Sequence, residues 1–156
     1  QHAHECSVAG IPFLFDPGQG LPMFSSEELL NFISEADYLA LNEYEAHLLS
    51  EKTGYSIDTL ARQLKALVVT LGEQGSKIYA DDSCIHIPCA RVQKVRDPTG
   101  CGDAYRAGLI YGICRNWSWQ DCGRLGAALA GIKVEYMGGQ NHHPSLAEIE
   151  AKFLQI

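Results

Sequence analysis

The stretch Asp97-Pro98-Thr99-Gly100-Cys101-Gly102-Asp103-Ala104 places a turn, two glycines and an acid directly ahead of a helix-like run. Pro98 cannot continue a strand ladder and biases Asp97 toward extended backbone, so the strand-like run 90–95 is expected to end here. Gly100 and Gly102 lack Cβ atoms where backbone would approach a ligand closely, and Ala104-Tyr105-Arg106-Ala107-Gly108-Leu109-Ile110-Tyr111 reads as helix. The amides of Gly100, Cys101, Gly102 and Asp103 are then expected to be unpaired donors at a helix N-terminus, an arrangement that suits an anion. The negative charge that develops on a transferring phosphoryl group is such an anion. Asp103 lies in the first turn, where the helix dipole favours a negative side chain, and is placed to accept a hydroxyl proton. From spacing alone, the same residues would serve equally as an ordinary helix cap. The dinucleotide pattern G-x-G-x-x-G fails because Tyr105 stands where its third glycine belongs, and G-x-x-x-x-G-K-[ST] occurs nowhere in the chain.

Two further stretches carry polar residues at the ends of strand-like runs. Asp37-Tyr38-Leu39-Ala40-Leu41 reads as a strand, and Asn42-Glu43-Tyr44-Glu45 follows directly, opening a helix through Ala46, Leu48 and Leu49. As a bare pattern this is sound helix design, an Asn cap with two acids in the first turn. Leu67-Val68-Val69-Thr70-Leu71 reads as a buried strand running into Gly72-Glu73-Gln74-Gly75 and then Ser76-Lys77-Ile78-Tyr79-Ala80, a hairpin between strands.

Around these stretches strand and helix patterns alternate. Residues 1–9 look like the end of a helix closed by Gly10, and Ile11-Pro12-Phe13-Leu14-Phe15 suits a central parallel strand buried on both faces. Ser25-x-x-Glu28 matches a capping box ahead of Leu29, Leu30, Phe32 and Ile33. Ile57, Leu60, Ala61 and Leu64 mark a helix over 56–65. Residues 84–88 alternate weakly and 91–95 continue extended, so this part is expected to be antiparallel. The helix after the Gly-rich stretch should reach Arg115 or Asn116. Ser118 then caps a long helix through Tyr136, whose Gly123, Gly126, Ala127, Ala130 and Gly131 permit a close neighbour or a flat ring. A last helix starts at Ser145, with a capping box to Glu148.

The chain has 156 residues, 46% hydrophobic and 20% charged, which is a prior for one globular domain with a real core. Twelve basic against 19 acidic residues, with no basic block, leave nothing to recruit nucleic acid or a membrane surface. The six cysteines form no C-x-x-C pair and no metal-type spacing with histidine, which argues for reduced thiols and a cytoplasmic protein. His142-His143 makes a poor metal pair, since adjacent residues point apart and no third ligand is evident.

Asn42-x-x-Glu45, Thr70-Leu71-Gly72 and Asp97-Pro98-Thr99-Gly100-Cys101-Gly102-Asp103, in that order, resemble the ribokinase-like (PfkB) family of sugar and nucleoside kinases, whose signature usually reads Asp-Thr-x-Gly-Ala-Gly-Asp. The departures are Pro98 for Thr and Cys101 for Ala, and neither removes the acid or a donor. The proline-containing form and a Gly-x-Gln segment ending at Gln140 are similar to those of bacterial adenosine kinases. The resemblance implies a three-layer Rossmann-like α/β fold, with a mostly parallel sheet and helices on both faces. This chain would be its C-terminal half, a single nucleotide-binding portion over residues 1–156 that lacks the earlier strands, the lid sheet and the sugar-holding glycine pair.

The implied activity is transfer of the γ-phosphoryl group of ATP to a primary hydroxyl of adenosine, another nucleoside, ribose or a hexose, with ATP and Mg²⁺ as cofactors. By the same resemblance Asp103 is the general base, and the amides of Gly100, Cys101 and Gly102 form the anion hole. Thr70, Gly72 and Gly75 lie along the ATP phosphates, Gln140 and Asn141 border the purine, and Asn42 and Glu45 order Mg²⁺ and its waters. The alternative is a nucleotide-binding or regulatory fragment without chemistry. The chain opens with Gln1 inside an expected helix, so a fragment or cleavage product is expected. Its protein partners would be the missing N-terminal half, needed for activity, or further copies of itself.

Overall fold

A computed structural model describes residues 1–156. Contacts divide the chain into two compact units, one of Gln1–Thr70 with Lys77–Cys84, the other of Leu71–Ser76 with Ile85–Ile156. The strands β1 (Leu14–Phe15), β2 (Tyr38–Asn42), β3 (Ala66–Thr70), β4 (Ser76–Ala80) and β5 (Ser83–Ile87) form one five-stranded sheet in that order. β1 pairs with β2 and β2 with β3 in parallel, Leu39 facing Leu67 and Asn42 facing Thr70. Five residues (71–75) join β3 to β4, and Asp81-Asp82 alone join β4 to β5. Connections so short fit only antiparallel neighbours, and the positive φ of both aspartates (51° and 56°) suits a primed hairpin turn. The fold class is α/β as expected, with antiparallel pairing confined to β4 and β5.

In the first unit, α1 (His2–Val8), α2 (Ser26–Glu35), α3 (Glu43–Thr53) and α4 (Ile57–Ala61) accompany the strands. Ser25 and Asn42 each close a reciprocal capping box, with Glu28 and Glu45, so α2 and α3 start where the sequence places them. Leu29, Ile33, Leu49 and Leu60 of the helices are buried, as are Leu39, Leu41 and Leu67 of the strands. Phe32 stacks on Phe15 at 4.9 Å and meets Phe24 edge-on at 5.4 Å.

Two expectations need correction here. The run 11–15 is not a central strand: β1 is two residues long, half-exposed and at the sheet edge. Pro12 has no N–H to donate, and the Phe13 N–H goes instead to the Asp37 carboxylate at 3.2 Å. The helix over 56–65 stops at Ala61, because Gln63 and Leu64 bond the carbonyls three residues back, at 3.1 Å each. Lys65 then turns away to pair with Asp37 at 2.8 Å.

The second unit is helical, with α5 (Cys101–Ile113), α6 (Trp119–Lys133) and α7 (Leu146–Phe153). α5 and α6 run antiparallel and nearly touch backbone to backbone: a Cβ on Gly108 would come within 2.7 Å of the Gly126 nitrogen. Gly126 of α6 therefore serves a helix neighbour, whereas Gly131 lies against Ala90. α7 is tied to α6 by the Arg124 guanidinium, which lies 4.3 Å over the Phe153 ring and donates to the Phe153 carbonyl at 3.1 Å. Residues 90–95 do not form the expected strand. The Arg96 and Asp97 N–H groups both go to the Val134 carbonyl, at 2.8 and 3.2 Å, so the end of this segment is fastened to the end of α6 rather than to a ladder.

Candidate functional site

In the first unit, parallel pairing sets Asn42 beside Thr70 at the C-terminal ends of adjacent strands, where ligand-facing loops of α/β sheets lie. The Asn42 side chain accepts the Glu45 N–H at 2.8 Å, and one Glu45 carboxylate oxygen accepts the Asn42 N–H at 2.8 Å. Thr70 leans back, its hydroxyl 3.4 Å from the Leu41 carbonyl. No group of three or more His, Cys, Asp or Glu side chains could hold a metal directly. The Asn42–Glu45 box thus presents a single carboxylate beside the strand end. An open groove of about 440 Å³ in this unit, lined by Arg62, Lys65, Tyr79 and Asp81 among others, contains none of the motif residues.

In the second unit, Gly72 starts a short 3-10 turn and Gly75 ends it at φ +87°, a conformation open to glycine, with the Ile87 carbonyl filling the space a Cβ would need. The Leu71 N–H closes the turn on the Gly75 carbonyl at 2.8 Å. The neighbouring Ser76 hydroxyl, fully buried, pairs with the Tyr105 phenol of α5 at 2.7 Å. This bond fastens the 71–76 turn to the helix that carries the Gly-rich stretch.

That stretch is a built turn. The Asp97 carboxylate accepts the Thr99 N–H at 2.9 Å through one oxygen and the Gly138 N–H at 2.7 Å through the other. Thr99, through its amide and then its side chain, and after it the Gly138 amide hold the Asp97 carboxyl down at about 2. Gly100 sits at φ +81°, pressed against Gly139. The Cys101 N–H is already donated to the Pro98 carbonyl at 3.0 Å, so the four free amides expected from sequence reduce to those of Gly100, Gly102 and Asp103. Burial pushes the Cys101 thiol up, the direction of a packing residue rather than a nucleophile. Asp103 projects into solvent, one oxygen held by the Arg106 guanidinium at 2.6 Å. A short i, i+3 acid–base pair on a helix start thus sets the carboxylate beside open amides.

Opposite the turn, the residues after α6 close over it. The Asn141 side chain donates to the Met137 carbonyl at 3.0 Å, which shapes the 137–141 loop, while Gln140 is exposed. Lys133 is fully buried, and its Nζ donates to the carbonyls of Asp97 at 2.8 Å and Tyr136 at 3.1 Å. Burial, followed by the charge of Lys133, lowers the basicity of the His142 imidazole, whose Nδ1 finds no partner. Asp97, Arg106 and Lys133 make the bonds that hold this turn and its acid, and sequence reasoning gave none of the three a role. A lysine between Ile132 and Val134 in an apolar last turn was the one signal available for the third.

Comparison with known proteins gives these stretches a context. The model of the pfkB family carbohydrate kinases matches residues 3–146. The chain is 42% identical over 131 residues to a nucleoside kinase of Methanocaldococcus jannaschii, covering 84% of this chain and 43% of that one. A Burkholderia thailandensis nucleoside kinase, solved in complex with ADP-inosine, superposes with a TM-score of 0.96 at 46% identity, over 98% of this chain and 48% of the other. An Arabidopsis thaliana ribokinase complexed with ribose and ATP shares the fold at a TM-score of 0.81 and 23% identity, over 97% of this chain and 50% of its own. The chain thus spans about half the length of the relatives it matches. With the Gly-rich turn, the strand-end Asn-x-x-Glu box and the matched 144-residue span from 3 to 146 all in place, the chain belongs to the pfkB family of carbohydrate kinases.

Proposed function

We propose that this chain is the nucleotide-binding portion of an ATP-dependent kinase that phosphorylates a primary hydroxyl of a ribose-containing acceptor, with a nucleoside favoured over a plain sugar. The observation that carries the reading is the start of α5, where the open amides of Gly102 and Asp103 and the exposed Asp103 carboxylate occupy one helical turn. A carboxylate there takes the hydroxyl proton as the oxygen attacks, and the amides receive charge from the transferring phosphoryl group. Arg106 fixes the rotamer of the base. Thr70, Gly72 and Gly75 are assigned to the ATP phosphates, and Gln140 and Asn141 to the edge of the purine. When bound, Mg²⁺ neutralises phosphate charge, and Glu45 with Asn42 would hold it through solvent. The nucleoside preference is supported by the nucleoside kinases among the relatives, one solved with ADP-inosine. Six free cysteines suit a reducing compartment, the cytoplasm, and no helix is long and apolar enough to cross a membrane.

The test is ADP release by the intact gene product with ATP, Mg²⁺ and a panel of adenosine, inosine, other nucleosides, ribose and hexoses. Asp103→Asn should lower acceptor-dependent turnover by ~10²–10⁴ while ATP binding persists. Near-normal turnover in that variant would remove Asp103 as the base. ATP binding with no turnover on any acceptor would identify a binding module instead.

A further inference from the structure

The largest side chain with no exposed surface in this chain is a lysine, Lys133. Burying a charged amine is costly, and an apolar residue of similar length would fill the same space without that cost, so the position asks for a use. Its two acceptors supply one. The Asp97 carbonyl, at 2.8 Å, begins the Gly-rich turn, and the Tyr136 carbonyl, at 3.1 Å, begins the loop that closes over that turn. The two loops meet again where Gly100 lies against Gly139 and where the Asp97 carboxylate takes the Gly138 N–H at 2.7 Å. Asp97 is therefore gripped at both ends, through its carbonyl by Lys133 and through its carboxylate by the opposite loop. Gly102 and Asp103, just beyond Gly100, carry open amides and the acid, so their aim is set by where this seam is fastened.

Resting on the kinase reading above, we infer that Lys133 is the positioning residue of the anion hole. It locks the Gly-rich turn to the end of α6 and keeps the amides of Gly102 and Asp103 pointed at one place. It touches neither substrate nor reacting atoms. Its loss therefore acts on the chemical step and leaves ground-state binding in place.

The experiment compares the intact gene product with Lys133→Met, an apolar side chain of similar length. Misaimed donors should lower kcat by roughly tenfold to a hundredfold while KM for ATP and for the nucleoside stays within about threefold. A folded variant with parental kcat, or one in which only KM rises, overturns the inference. Should Lys133→Met fail to fold, Lys133→Gln decides: its amide nitrogen is uncharged and one atom nearer the backbone, so the double grip of Nζ on the Asp97 and Tyr136 carbonyls is lost, and the same kcat loss is expected. Unchanged kcat there overturns the inference as well. Hydrogen exchange supplies a readout independent of turnover. Peptides covering 98–104 should exchange at least about tenfold faster in Lys133→Met, with those of α7 unchanged. If the parent protein phosphorylates nothing, the kinase reading fails, and exchange alone still decides the role of Lys133: unaltered exchange at 98–104 overturns it.

Discussion

Replacing Gly100 by alanine perturbs the Gly-rich turn at its tightest point. The backbone stands at φ +81°, and an added Cβ would lie 2.9 Å from the Gly139 carbonyl oxygen and 3.2 Å from the Gly139 Cα. The conformation alone costs about 1–2 kcal/mol in a residue with a Cβ. The contact adds about 1–3 kcal/mol, because it is made with backbone that cannot rotate away. Together the loss should be about 2–5 kcal/mol, read as a shift in the urea midpoint at unchanged slope. Gly102→Ala is the matched control: its Cβ would meet only the Arg106 guanidinium, at 3.2 Å, the far end of a flexible side chain, and φ is not positive. That variant should stay within about 1 kcal/mol of the parent. Pushing the turn off Gly139 also displaces the amides behind it, so folded Gly100→Ala should lose up to about a hundredfold in turnover. A Gly100→Ala protein within about 0.5 kcal/mol of the parent, with parental turnover, would refute the described turn.

Two further outcomes are expected. Tyr105→Phe leaves the fully buried Ser76 hydroxyl without its partner and should cost about 1–3 kcal/mol, measured by chemical denaturation. Burial pushes the Tyr105 phenol up to about 12 despite the Ser76 bond; a raised value means that its contribution is intact below about pH 10 and is lost as pH rises toward 12. Tyr105→Phe should abolish that alkaline limb. In Glu45→Gln, the amide oxygen can still accept the Asn42 N–H, so α3 keeps its cap while the charge is gone. Melting should be nearly unchanged, and the Mg²⁺ concentration for half-maximal turnover should rise; an unmoved Mg²⁺ titration would count against the role of Glu45.

Much of the fold was legible because its helix starts are written locally. Ser25, Asn42, Ser118 and Ser145 all accept the N–H three residues on, as their sequence context predicts. The Gly-rich turn, the Asn-x-x-Glu box and the 72–75 turn also lie where expected, since each is a local pattern. What failed was decided by distant partners. The run 11–15 looks like a buried strand until Asp37 takes its amide, and 90–95 looks extended and paired until Glu135 takes the Gln93 amide and Val134 those of Arg96 and Asp97. Asp97 and Lys133 stayed hidden for the same reason. Their partners lie in residues 136–138 and in each other's turn, and a lysine in a last helical turn ordinarily needs no explanation beyond the dipole.

The antiparallel pair α5 and α6 has a consequence for how this protein acquires its structure. The two helices are neighbours in sequence, joined by a few residues, and their contact depends on paired glycines rather than on chain ends brought from afar. Such low-contact-order hairpins form early in folding. The start of α5 and the end of α6 lie at the same end of that hairpin, so the Gly-rich turn and Lys133 would be brought together by one early event. Substitutions that bulk up Gly108 or Gly126 should accordingly slow refolding more than they speed unfolding.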